Sequence, residues 1–188
     1  MAYTERLQIL IESEITELYS PPSFSLEERR FYFSLNDREA KAAKSIRQRS
    51  HRCYFVALLG YFKSKPIVLS PSFGQIEEDL KFIACEQFPG PGLRRFTLDR
   101  KQRNRLYQKV FGLLNYQSWR EQTDNDETVA HLRRAAKSWI EPRHLFDTAI
   151  EYLSLRHIAI PKYTTLQVLV SQAMTIERKT IATSLAEH

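Results

Sequence analysis

Cysteine, glycine and long apolar runs are what this chain has least of, and each shortage narrows what it can be. The two cysteines, Cys53 and Cys85, sit alone in apolar helical patterns, which fits reduced core thiols better than a disulfide framework. Neither they nor His51, His131, His144 and His157 fall at the short pair spacings of a zinc site, so no metal is expected. The five glycines form no Walker-type GxxxxGK loop, no GxGxxG fingerprint and no GxSxG nucleophile turn. Glu77, Glu78 and Asp79 share one helix turn, with no partner that suggests metal-dependent hydrolysis. No apolar run approaches the length of a membrane span, and MAYTERLQIL lacks the basic-then-apolar layout of a signal peptide. The expectation is a cytoplasmic protein with no membrane partner, no cofactor and no catalytic role of its own.

What the chain has is positive charge on a helical frame. Its 188 residues are 43% hydrophobic, enough for an ordinary core, and carry a net charge of +6, which favours polyanionic partners. The stretch Asn36–Lys65 holds Arg38, Lys41, Lys44, Arg47, Arg49, Arg52, Lys63 and Lys65 against Asp37 and Glu39, a local surplus equal to that of the whole chain. Asn36 with Glu39 predicts a capping box, with Ala40, Ala43 and Ile46 on one apolar edge. Ser50 is a second N-cap candidate, ahead of Phe55, Leu58, Leu59 and Phe62 at core-facing helical spacing. The start of that helix would present free N–H groups beside Arg47, Arg49, His51 and Arg52, a favourable place for a phosphate.

Taken in order, Thr4–Tyr19 predicts an acidic amphipathic helix, with Leu7, Leu10, Ile11, Ile15 and Leu18 on one face. Ser25 with Glu28 opens a short helix that should carry Phe31, Tyr32 and Phe33 into the core. Ser72 with Gln75 opens another. Phe88-Pro89-Gly90-Pro91-Gly92 is the sharpest punctuation, and predicts two helical subdomains, residues 1–92 and 93–188. A second basic cluster follows: Arg94, Arg95, Arg100, Lys101, Arg103, Arg105 and Lys109 against Asp99, and within it Thr97 can cap a helix ending near Asn115. Glu121–Glu127 reads as a polar loop with Asp126 capping the next helix, and Pro142 suits the first position of the one after. Trp119 and Trp139 are candidates for stacking on bases, though their spacing also suits a core. Arg156–Pro161 is a compact turn before a helix starting near Thr164. This is the layout of a helix-turn-helix reader, which would put Lys162, Tyr163, Thr164, Thr165 and Gln167 at base edges, although any helical hairpin gives the same pattern. The final ERKTIATSLAEH keeps helical character without a stop signal, as a fragment of a longer protein would. The expected fold is all-α, about nine helices in two linked subdomains with helix-turn-helix-like elements.

With these motifs laid out, the chain resembles the N-terminal region of the replicative transposases of the Tn-three family, nearly end to end. The likeness rests on the FYFSLND segment Phe31–Asp37 followed by the basic run Arg47–Arg52, then the apolar helix and Pro-containing connector Phe55–Leu69. It continues with the basic helix Arg100–Tyr116, where Asn115 stands in place of the usual glycine. It closes with Leu153, Arg156, Ile158, Pro161, Thr165 and Leu166. None of these is a catalytic motif. The resemblance implies a DNA-binding part of a larger transposase that recognises transposon terminal inverted repeats, with the catalytic acidic residues in a downstream domain absent here. The implied partners are double-stranded DNA and other domains, or a second copy, of the full transposase. Two other readings use the same residues: a helical module that docks on proteins, and an RNA binder. The latter sits poorly with an A-form major groove too narrow for a recognition helix.

Overall fold

The structure, a computed structural model, describes residues 7–186, and within them the chain is all-α. Nine helices follow one another: α1 (Glu12–Tyr19), α2 (Leu26–Tyr32), α3 (Asp37–Lys44), α4 (Arg49–Ser64), α5 (Glu77–Glu86), α6 (Arg100–Leu114), α7 (Glu121–Ala136), α8 (Pro142–Leu155) and α9 (Tyr163–Ala186). Only isolated bridging residues, and no strand, are found among the described residues.

The helices form two units. Tyr19–Ser118 make a central unit; residues 7–18 join residues 119–186 in a terminal unit. This division differs from the one expected at residue 92. The turn after Phe88 does not separate subdomains, because α6 returns to pack on α4. There Phe62 meets the rings of Tyr107, Phe111 and Tyr116, and the Tyr107 hydroxyl bridges the N–H and carbonyl of Leu69, each at 2.8 Å.

The central unit is built around α4, in which every residue from Cys53 to Phe62 is buried. A helix apolar on all sides must be surrounded, and α2, α3, α5 and α6 all pack on it. Full burial of each large side chain contributes about 1.5–3 kcal/mol, so Phe55, Leu58, Leu59 and Tyr61 make this helix the heart of the unit. Gly60 lets α2 close on it: a Cβ there would lie 2.5 Å from Phe33 Cδ1 and 3.0 Å from the Tyr32 carbonyl oxygen. The capping boxes Ser25–Glu28 and Asn36–Glu39 form as expected. Of the three aromatics at the end of α2, however, only Phe33 is core; Tyr32 is half-buried and Phe31 is 72% exposed. Helix α4 begins one residue before Ser50, with Gln48 at its N-cap position and no side-chain cap.

In the terminal unit α7, α8 and α9 pack pairwise around Leu132, Leu145, Phe146, Leu153, Leu166 and Val170. Pro142 occupies the first turn of α8 as expected. The predicted polar loop at Glu121–Glu127 is instead the start of α7. Buried Asp124 accepts the Arg120 N–H at 2.6 Å and closes the first turn over residues whose composition alone suggested a loop. The first helix is also shorter than expected, since Leu7–Ile11 precede it and only Glu12–Tyr19 are helical; Thr4–Arg6 lie outside the described residues. The Ile9 and Leu10 N–H groups donate instead to the Tyr163 hydroxyl, at 3.1 and 3.2 Å.

Candidate nucleic-acid interface

The two basic clusters, some forty residues apart in sequence, meet at the N-terminal end of α4. The segment Leu93–Asp99 lies against the first turns of that helix through Phe96, whose ring is 6.0 Å from both His51 and Tyr54 and 5.4 Å from Phe73. Tyr54 is itself fixed by donating to the Pro71 carbonyl at 2.7 Å, and it bonds the Arg103 side chain. Burial pushes the Tyr54 phenol up to about 12, with the Arg103 charge acting against the shift. Helix α6 starts just beyond, capped by Asp99 rather than by Thr97: the Asp99 carboxylate accepts the Gln102 N–H at 2.7 Å, and Gln102 returns the bond to the Asp99 N–H. Asp99 is the one acidic side chain between Gln87 and Ser118.

The basic residues at this end are of two kinds. Arg49 and Arg52, expected to hold phosphate, are committed to their own backbone. The Arg49 guanidinium donates to the carbonyls of Phe88, Pro91 and Ala84, and Arg52 donates to Ile46 at 2.6 Å and Arg47 at 3.5 Å. They tie the end of α5 and the end of α3 to the start of α4, because carbonyls left open where helices end need donors. Arg103 is half-buried against Tyr54. By contrast Lys44, Arg47, Arg94, Arg95, Arg100, Lys101 and Arg105 are exposed, and no ion pair involves them among the described residues. His51 is half-buried, and desolvation lowers its pKa, so it is neutral at pH 7.

The predicted helix-turn-helix residues are in the other unit and are differently placed. Tyr163 accepts from Ile9 and Leu10, and the buried Gln167 amide donates to the Leu7 carbonyl at 2.8 Å. The first turn of α9 thus anchors the N-terminal segment, leaving Lys162 and Thr164 exposed and Thr165 half-buried. Charge separates the units as well. By sequence, Tyr19–Ser118 holds 18 Lys and Arg against 9 Asp and Glu, a net +9; the rest of the chain holds 10 against 13, a net −3. The sign of the first suits a polyanion and that of the second does not.

Sequence reasoning missed Phe96 and Tyr54, which bring the clusters together, and the lysine and arginine that fasten α6 to α3: Arg38 donates to the Gly112 carbonyl at 3.0 Å and Lys109 to Ser45 Oγ at 3.2 Å. A lone phenylalanine in a basic loop, directly after Arg94-Arg95, was the available signal. Trp139 is exposed and stacks on His144 with 5.1 Å between centroids, in the terminal unit.

Fold and site define an all-helical protein with one strongly cationic unit. The model of a family described as Domain of unknown function (DUF4158) matches residues 9–173, and the chain belongs to that family. No curated protein and no solved structure matches it.

Proposed function

We propose that the central unit grips duplex DNA, and that the chain serves as the end-recognition part of a transposase acting in DNA transposition on terminal inverted repeats. The observation that carries the DNA reading is the convergence, through Phe96, of two basic clusters whose exposed cations have no carboxylate partner. Uncommitted arginines and lysines at the starts of helices oppose the helix dipole, a modest local cost that phosphate oxygens would offset. Assignment to transposon ends rests on the family resemblance of the sequence. Phosphate contacts fall to Lys44, Arg47, Arg94, Arg95, Arg100, Lys101 and Arg105, with base readout by neighbours such as His51.

The test is binding to repeat and scrambled duplexes at several salt concentrations. Replacing Arg94, Arg95, Arg100 and Lys101 together by alanine should weaken all duplexes alike and reduce the log–log salt slope by about 3 to 4, at about 0.9 per phosphate contact. Lys162→Ala, in the terminal unit, should leave the slope unchanged. An unaltered slope in the quadruple variant overturns the interface. A second reading, a module docking on other transposase domains, is favoured for the terminal unit by its net negative charge and by α1, which buries none of its residues.

A further inference from the structure

Beside the basic end of the central unit is a cavity of about 390 Å³ between α2, α3 and α5. Its walls are aromatic: Phe33 is buried, and Phe82 and Phe88 are half-buried. Arg30 and Lys44 border it with exposed cations, so Lys44 belongs both to this cavity and to the cationic surface. The Gln87 amide is fixed with its nitrogen donating to the Phe33 carbonyl, which leaves the Gln87 Oε1 acceptor buried and without a partner. A buried acceptor left open is uncommon in a folded protein and marks a place where a donor is wanted. Glu86 adds a second acceptor at the same cavity. Apolar π-faces, hydrogen-bond acceptors inside and cations at the border are together the requirements of a single nucleotide. The half-buried rings of Phe82 and Phe88 stack on the base, the acceptors meet its amino groups and the cations meet its phosphate.

We propose that this cavity receives one unpaired, amino-bearing nucleobase, turned out of the duplex that the neighbouring cationic surface holds. The inference rests on the DNA-binding reading of the central unit. Extruding a base costs least where it is already unpaired or mismatched. The site should therefore distinguish an unpaired base from a paired one.

The experiment uses the full chain and two hairpin duplexes that differ only in the thymine opposite one position. In one a 2-aminopurine is paired with thymine; in the other it is a single-base bulge. The bulged duplex should bind about tenfold more tightly, within the range that stacking of one base on aromatic side chains supplies, and its fluorescence should change on binding while that of the paired duplex does not. Ala40→Leu, which narrows the cavity from α3, should bring the bulged duplex down to the affinity of the paired one. If that variant does not melt cooperatively, Phe88→Ala takes its place. It removes one wall while keeping the backbone carbonyl that holds Arg49. Equal binding of the two duplexes by the parent protein, or a preference that survives in a folded variant, overturns the cavity proposal and leaves duplex binding standing. Binding of neither duplex overturns both.

Discussion

The central and terminal units each bury a carboxylate beside an arginine, and the two pairs are not built alike. Asp79 in the central unit, 6% exposed, accepts Arg29 Nε at 2.7 Å on one oxygen and the Tyr61 hydroxyl on the other. Glu177 in the terminal unit, 3% exposed, stands 3.6 Å from Arg133 Nε, and both of those atoms are buried without a hydrogen-bond partner. A buried ion pair repays its desolvation only when its geometry is good and its remaining lone pairs are met. The cationic unit therefore has a rigid interior polar lock behind its uncommitted surface charges. The other unit tolerates a loose one along α9.

That contrast predicts the largest stability difference in the molecule. Asp79→Ala leaves Arg29 and Tyr61 without their acceptor and should cost about 3–5 kcal/mol in denaturant unfolding. Glu177→Leu should be neutral or stabilising by up to about 1 kcal/mol. Arg133 is only partly buried and can turn to water, and a leucine extends the apolar stripe of Val170 and Met174. Similar losses from both variants would show that the two locks are equivalent after all.

A smaller effect concerns how helices end, where the units agree. Asn115 closes α6 with φ 58°, and the Tyr116 N–H reaches back to the Phe111 carbonyl at 3.0 Å. His157 closes α8 with φ 52°, and the Ile158 N–H reaches Leu153 at 2.9 Å. The left-handed position favours glycine, with asparagine the next best tolerated, which suits Asn115 to this cap. Asn115→Gly should change thermal stability by only a few tenths of a kcal/mol, whereas Asn115→Ala should lose about 1 kcal/mol. Equal melting temperatures for the two variants would contradict the assignment of the cap.

The helices themselves were readable because capping boxes and apolar spacing are local, as at Ser25–Glu28, Asn36–Glu39 and the Leu145–Leu153 face. What escaped depends on contacts distant in sequence. Composition made Glu121–Glu127 look like loop, yet one buried carboxylate, Asp124, starts α7 there. The division of units was hidden for the same reason: nothing near Gly92 announces that Tyr107 will bond Leu69. At the site, the sequence marked which residues are cationic. It could not tell Arg49, fastened to three carbonyls, from Arg47, which is exposed, because guanidinium commitments are made across loops and helix ends.

The smallest expected effect separates the units by proton. Burial lowers the pKa of His51 in the central unit, and burial together with the Arg134 charge lowers that of His131 in the terminal unit, against a raising effect of Glu151. For both groups the unfolded chain binds protons first as pH falls through the ordinary value of 6.5, so each contributes stability at neutral pH that acidification removes. His51→Gln and His131→Gln should each flatten the fall in stability between about pH 7 and 5. On the proposed DNA-binding reading, affinity should respond with the opposite sign and at one residue only. A phosphate backbone beside Arg47 and Arg94 favours the charged imidazole, so binding should strengthen as pH falls through that range, and His51→Gln should abolish the dependence while His131→Gln leaves it intact. A pH-dependent affinity that survives in His51→Gln would mean that this imidazole lies outside the contact, and that the phosphate surface is carried by the exposed arginines and lysines alone.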